Sequence, residues 1–133
     1  MTCCFIGHRK EKHQKELERQ LLDVVRYLIA QNVTTFLFGD HSDFNTLCYG
    51  VVSELKETNP TIRRVHVRTD YPNADAYTMR FLTEGCEDSI CPDGIASVER
   101  NQTMILASDF CVFYYNENYL PDLRKASKKA LTS

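Results

Sequence analysis

Two glycine turns hold the residues of this chain best suited to chemistry. The first, Gly7-His8-Arg9, ends the apolar run Thr2-Cys3-Cys4-Phe5-Ile6; the second, Gly39-Asp40-His41-Ser42-Asp43, ends Val33-Thr34-Thr35-Phe36-Leu37-Phe38. In both, a strand-like run passes through glycine into a helix start, where free backbone N–H groups and the helix dipole favour an anion such as phosphate. His8 and Arg9 add two donors to the first turn, Arg9 as a planar fork that matches a phosphate. His8 is read as a hydrogen-bonding group toward a ligand rather than as a general acid or base. At the second turn Asp40, Asp43 and Asn45 carry the acceptors that ribose hydroxyls need, as acidic residues do in dinucleotide sites. The plainer alternatives are that each glycine only permits the turn and that the acidic residues only cap the helix. Neither turn is G-x-G-x-x-G or G-x-x-x-x-G-K-[ST]. A third cluster, Glu99-Arg100-Asn101, is either a set of ligand groups or a solvated helix face. Tyr114, Tyr115 and Tyr119 are equally suited to stacking on a base and to packing a sheet edge.

The elements that must position these groups alternate. The opening run is a strand apolar on both faces. Over residues 11–31, Leu17, Leu21, Val24, Val25 and Leu28 recur three and four apart, with Glu18, Arg19 and Arg26 opposite, which predicts an amphipathic helix. Residues 33–38 are a second buried strand. Phe44, Leu47, Cys48, Val51, Val52 and Leu55 then form a clean helical stripe that Asn59-Pro60 terminates. Residues 62–67 read as a third strand, half exposed or at an edge because of Arg63, Arg64 and His66. A helix is expected over 74–82, a loop over 84–94, a helix marked by Ile95, Val98, Met104 and Ile105, and a fourth strand over 110–115. Alternating helices and apolar strands predict an α/β fold: a small Rossmann-like three-layer sandwich with a mainly parallel sheet of about four strands. In such sheets ligands bind where the loops leave the carboxyl ends of the strands.

Composition narrows the function. A chain of 133 residues is one domain, assigned to 1–120 with a basic tail over 121–133. The formal net charge of -2 disfavours a nucleic-acid binder, and only Arg124, Lys125, Lys128 and Lys129 cluster as cations. No apolar run approaches a membrane span, and residues 1–10 lack a signal-peptide core, so the expected location is cytoplasmic. Of the six cysteines, Cys3, Cys4, Cys48 and Cys111 lie in apolar stretches and are expected to be buried free thiols. Cys86 and Cys91 fall in a polar loop with no second Cys or His pair, so neither a disulfide nor a metal centre is expected, and no cofactor.

The residues also carry a family likeness. Cys3-Cys4-Phe5-Ile6-Gly7-His8-Arg9 resembles the Cys-Cys-Phe-Thr-Gly-His-Arg opening of the YpsA-like proteins in the SLOG superfamily, the Rossmann-type group that includes the DprA and LOG proteins. Phe38-Gly39-Asp40 through Asp43-Phe44-Asn45-Thr46 is similar to the family's second loop, and Val98-Glu99-Arg100-Asn101 with Ser108-Asp109 to its third. The resemblance implies a nucleotide pocket at the sheet rim, and Arg100 falls where LOG enzymes carry a catalytic arginine. Those enzymes follow the next strand with Pro-Gly-Gly-x-Gly-Thr-x-x-Glu. Here that strand runs into Tyr114-Tyr115-Asn116-Glu117-Asn118, and YpsA-like chains reach a Gly-Thr turn beyond the point where this sequence stops. The expectation is a chain truncated before, or lacking, a last strand and helix, which counts against hydrolysis.

The resulting expectation is a binding module for a phosphorylated nucleotide or ADP-ribose-like ligand. The ligand-binding residues are Gly7, His8, Arg9, Gly39, Asp40, Asp43, Asn45, Thr46, Arg100 and Asn101. The alternative is a LOG-like hydrolase of the N-glycosidic bond in a nucleoside monophosphate, with Glu99 and Arg100 as the catalytic candidates. Arg9 is expected to matter more for affinity than Arg100, which a helix can turn to solvent. A homo-oligomer is expected, formed where the third strand and Tyr77 and Phe81 leave an open edge.

Overall fold

The computed structural model describes residues 1–7, 14–39, 42–68, 84–90 and 97–114, with the backbone alone at 97–99. The strands are β1 (Thr2–Ile6), β2 (Thr35–Phe38), β3 (Arg63–Val67), β4 (Asp88–Ile90) and β5 (Phe110–Phe113). The helices are α1 (Gln14–Ala30), α2 (Asp43–Lys56) and α3 (Ser97–Leu106). Every strand pairing is parallel, in the order β4-β3-β2-β1-β5.

That order follows from the handedness of parallel crossovers. From β1 through β2 to β3 the chain steps in one direction, which places α1 and α2 on one face. The step to β5 reverses direction, so α3 lies on the other. Two cores result. Phe5, Phe36 and Phe38 stack under α1 and α2, Phe5 and Phe38 with ring centroids 5.5 Å apart, together with Leu21, Val25, Cys48 and Val52. Cys4, Ile6, Leu37, Val65 and Val67 pack on the other face with Met104 of α3. The strands are apolar on both sides because both sides are covered.

α1 and α2 realise their stripes with one departure, and of the α3 residues Met104 is buried while Ile95 and the Val98 side chain lie outside the described residues. α1 buries Leu17, Leu21, Val25 and Leu28, whereas Val24 is 38% exposed, since at 3.6 residues per turn it lies at the outer edge of the arc those four span, beyond Leu17. The helix ends in a Schellman motif: Val33 N–H donates to Leu28 O and Asn32 N–H to Ile29 O, with Asn32 at φ 70°. α2 starts at Ser42, whose Oγ accepts the Asn45 N–H at 3.1 Å.

Two local readings of the sheet are corrected. Among the described residues there are five strands, in keeping with a sheet of about four, and the additional one is Asp88-Ser89-Ile90, read from sequence as loop, which pairs with β3. β3 is therefore not an edge, and His66, taken as a sign of exposure, is fully buried. The polar residues that suggested an edge serve a different purpose. Arg64 donates through Nε and Nη2 to the Glu87 carboxylate and through Nη1 to Ser53, Lys56 joins Glu87 at 3.1 Å, and Arg63 pairs with Asp88. β3 uses its charges to hold β4.

The expected helix at 74–82, Tyr77, Phe81, Cys91, and the boundary between 120 and 121 with the basic tail lie outside the described residues. Cys3, Cys4, Cys48, Cys86 and Cys111 are free thiols. Cys111 is half-buried rather than buried, on the strand that ends the sheet among the described residues. Among the described residues no helix is long and apolar enough to cross a membrane.

Candidate functional site

The carboxyl ends of β1, β2 and β3 open on one rim. β1 delivers Gly7, β2 delivers Gly39, and α2 begins between them. Neither glycine has a positive φ, so turn geometry alone does not require it. Close approach does. A Cβ at Gly7 would collide with the ring of Phe44, which is fully buried at the start of α2. Tyr114, at the end of β5, stacks on that ring at 5.6 Å and 15°. Phe44 thus fills the gap between the ends of β1 and β5, and Tyr114 packs there as its partner.

A Cβ at Gly39 would sit 3.2 Å from Arg100 Nε, 3.4 Å from Arg100 Cζ and 3.2 Å from Met104 Cε. The space above Gly39 is therefore taken by the guanidinium of Arg100, which reaches in from the first turn of α3. Arg100 is only 4% exposed. The solvated-face alternative fails for this residue: three and four positions separate Arg100, Met104 and the core row of α3, and the arginine shares that row. Its Nε and Nη2 donate to Asn101 Oδ1 at 3.4 and 3.3 Å. Burying a guanidinium is costly unless hydrogen bonds or anions surround it.

Asn45 braces the two elements. The Gly39 N–H donates to its Oδ1 at 3.4 Å, and its Nδ2 donates to Ser42 Oγ at 3.2 Å, so the end of β2 is tied to the first turn of α2. Asn45 is buried, Asp43 is half-buried in that turn, and Thr46 is exposed with its N–H on Ser42 O. The structure thus brings Gly39, Asn45, Arg100 and Asn101 together, with Gly7 on the neighbouring strand. His8, Arg9, Asp40 and the Glu99 side chain lie outside the described residues.

One rim residue was not among the ligand-binding residues expected from the sequence. Arg68 follows β3, and its Nε is buried without a hydrogen-bond partner. It stands just past the carboxyl end of β3, the strand that pairs with β2. A lone arginine after a strand gives no periodic signal, so only the structure shows that its Nε is buried.

Four of the described thiols, Cys3, Cys4, Cys48 and Cys86, are held in the protonated form. Burial pushes Cys3 up to about 12, and burial also raises Cys4 and Cys48. Burial lifts Cys86 to about 11, the nearby Arg64 only partly offsetting it. Thiolate, not thiol, is the reactive form. No group of three or more His, Cys, Asp or Glu able to hold a metal occurs among the described residues. A cavity of about 220 Å³ lies elsewhere, on the α3 face, lined by Leu37, Val65, Val67, Ile90, Met104 and neighbours. It is apolar and carries none of the rim chemistry. No family model and no curated protein matches the chain.

Proposed function

We propose that this protein binds a phosphorylated nucleotide or a nucleotide-derived, ADP-ribose-like ligand at the carboxyl rim of its sheet. One observation carries the reading: the buried Arg100 guanidinium against Gly39, beside the N-terminus of α2. A buried cation and the positive end of a helix dipole, both close to the end of β2, are the kind of surroundings that favour a phosphate. Arg68, with its unsatisfied buried Nε, supports the same reading from β3. The likeness of the opening heptad to YpsA-like proteins agrees with a nucleotide rather than a simple anion. Asp43, half-buried in the first turn of α2, is the described acid that would accept from a ribose hydroxyl in this reading, and the sequence also offers Asp40.

Calorimetric titration of the full chain with AMP, adenosine and ADP-ribose tests this. Binding of AMP and ADP-ribose at least tenfold tighter than adenosine is expected, the worth of one charge-assisted contact. Equal affinity for adenosine and AMP would remove the phosphate from the reading. Release of free adenine during the AMP titration would move the assignment to N-glycosidic hydrolysis.

A further inference from the structure

Among the described residues the sheet ends at β4 on one side and at β5 on the other, and the two strands differ. β4 is short and set among charges: Asp88 pairs with Arg63, and Glu87 with Arg64 and Lys56. Short, charged edges resist further pairing. β5 is the reverse. Phe110-Cys111-Val112-Phe113 carries no charge, all four residues are half-buried, and its inner side pairs with β1. Among the described residues nothing hydrogen-bonds its outer side.

The direction of its free groups follows from one bond. Tyr114 N–H donates to Ile6 O of β1. Backbone groups alternate sides along a strand, so Val112 and Phe110 also point inward, while Cys111 and Phe113 turn both N–H and C=O outward.

We propose that this edge pairs antiparallel with the β5 edge of a second copy of the chain, about a two-fold axis at Val112, to form one continuous sheet. Such an axis keeps each face of the sheet on its own side, so opposed residues must share a face. Centred on Val112, Cys111 lies opposite the partner's Phe113, both on the α3 side, and Val112 lies opposite itself on the α1 and α2 side. The outward-facing residues of the two copies are then matched, and each such pair exchanges both of its N–H···O bonds. Centring on Cys111 instead would oppose Phe113 to the partner's Asp109. Asp109 is already used: its N–H donates to Thr2 O and its carboxylate accepts the Thr2 N–H at 2.9 Å. A second copy is the occupant because the strand complements itself in register, face and absence of charge, which closes a symmetric dimer.

Cysteine cross-linking with light scattering tests the interface on the full chain. At the non-hydrogen-bonded centre the two Cα atoms of residue 112 stand about 4.5 Å apart, within disulfide reach. Val112→Cys treated with oxidised glutathione should form a reducible dimer, two thiols giving one disulfide while the glutathione disulfide is reduced to two thiols. Wild type, whose Cys111 faces Phe113, should scatter as a dimer without cross-linking. Phe113→Pro removes an outward N–H and leaves the β1 ladder intact, so it should scatter as a monomer with an unchanged circular dichroism spectrum. Val112→Arg, a charge at the axis, is the second variant and should also be monomeric. A monomeric wild type, a dimer that Val112→Cys does not link, or a dimer that cross-links through Ile90→Cys on the α3 face would each overturn the proposal.

Discussion

At Gly39 the constraint is steric and the consequence is chemical. A guanidinium leaves little room for a side chain at Gly39, so the end of β2 lies against a positive charge. Gly39→Ala would drive a methyl group to 3.2 Å from both Arg100 Nε and Met104 Cε, and Met104 is itself buried. The expected cost is about 1–3 kcal/mol, the range for overpacking, and the displaced arginine should weaken AMP binding. Gly50→Ala is the matched control. Nothing lies within 4 Å of a Cβ there, on an exposed turn of α2, so it should stabilise by about 0.5–1 kcal/mol through helix propensity alone. Urea melts of the two variants give opposite signs if close approach, rather than backbone conformation, explains Gly39. From sequence Gly7 and Gly39 were both visible as strand-ending turns, but their reason was not, since the groups that crowd them, Phe44 and Arg100, come from other elements.

Among the described elements, α1 and α2 were legible because each buries a stripe of helical period, and β1 and β2 because each is a continuous apolar run covered on both faces. The clearest case is α2, where five of the six stripe residues are buried and Leu47 is half-buried. β4 was not legible. Three residues, two of them polar, have no period to read, and the strand depends on the clamp that Glu87 forms with Arg64 and Lys56. Burial tends to raise the Glu87 carboxyl, but the hydrogen bonds from Arg64 and Lys56 outweigh it and leave the group below its ordinary value of 4.5. A carboxylate held below its unfolded value stabilises the fold above about pH 4.5, and that contribution is lost as pH falls through the folded value. Glu87→Gln should therefore cost roughly 1 kcal/mol at neutral pH. The difference from wild type should shrink as the pH is lowered below 4.5. Equal stability of the two proteins at pH 7 would mean that β4 is held by its backbone pairing alone.

For the whole molecule, strand alternation and apolar strands led to the correct layered α/β architecture, since a parallel sheet with right-handed crossovers leaves few other arrangements. The candidate site was legible only in part. The sequence named Arg100 yet left open which way it faced, and the answer depends on the rotation of α3 against a strand far away in the chain. That rotation turns a group suited to solvent into the buried charge at the rim. The direct test is the AMP dissociation constant of Arg100→Ala against wild type, measured by calorimetry on protein whose circular dichroism shows the fold retained. A tenfold to hundredfold weaker Kd for AMP, with adenosine binding unchanged, is the result predicted for loss of a charge-assisted phosphate contact, about 1.5–3 kcal/mol. An unchanged AMP Kd would contradict it and leave Arg100 as packing between α3 and Gly39.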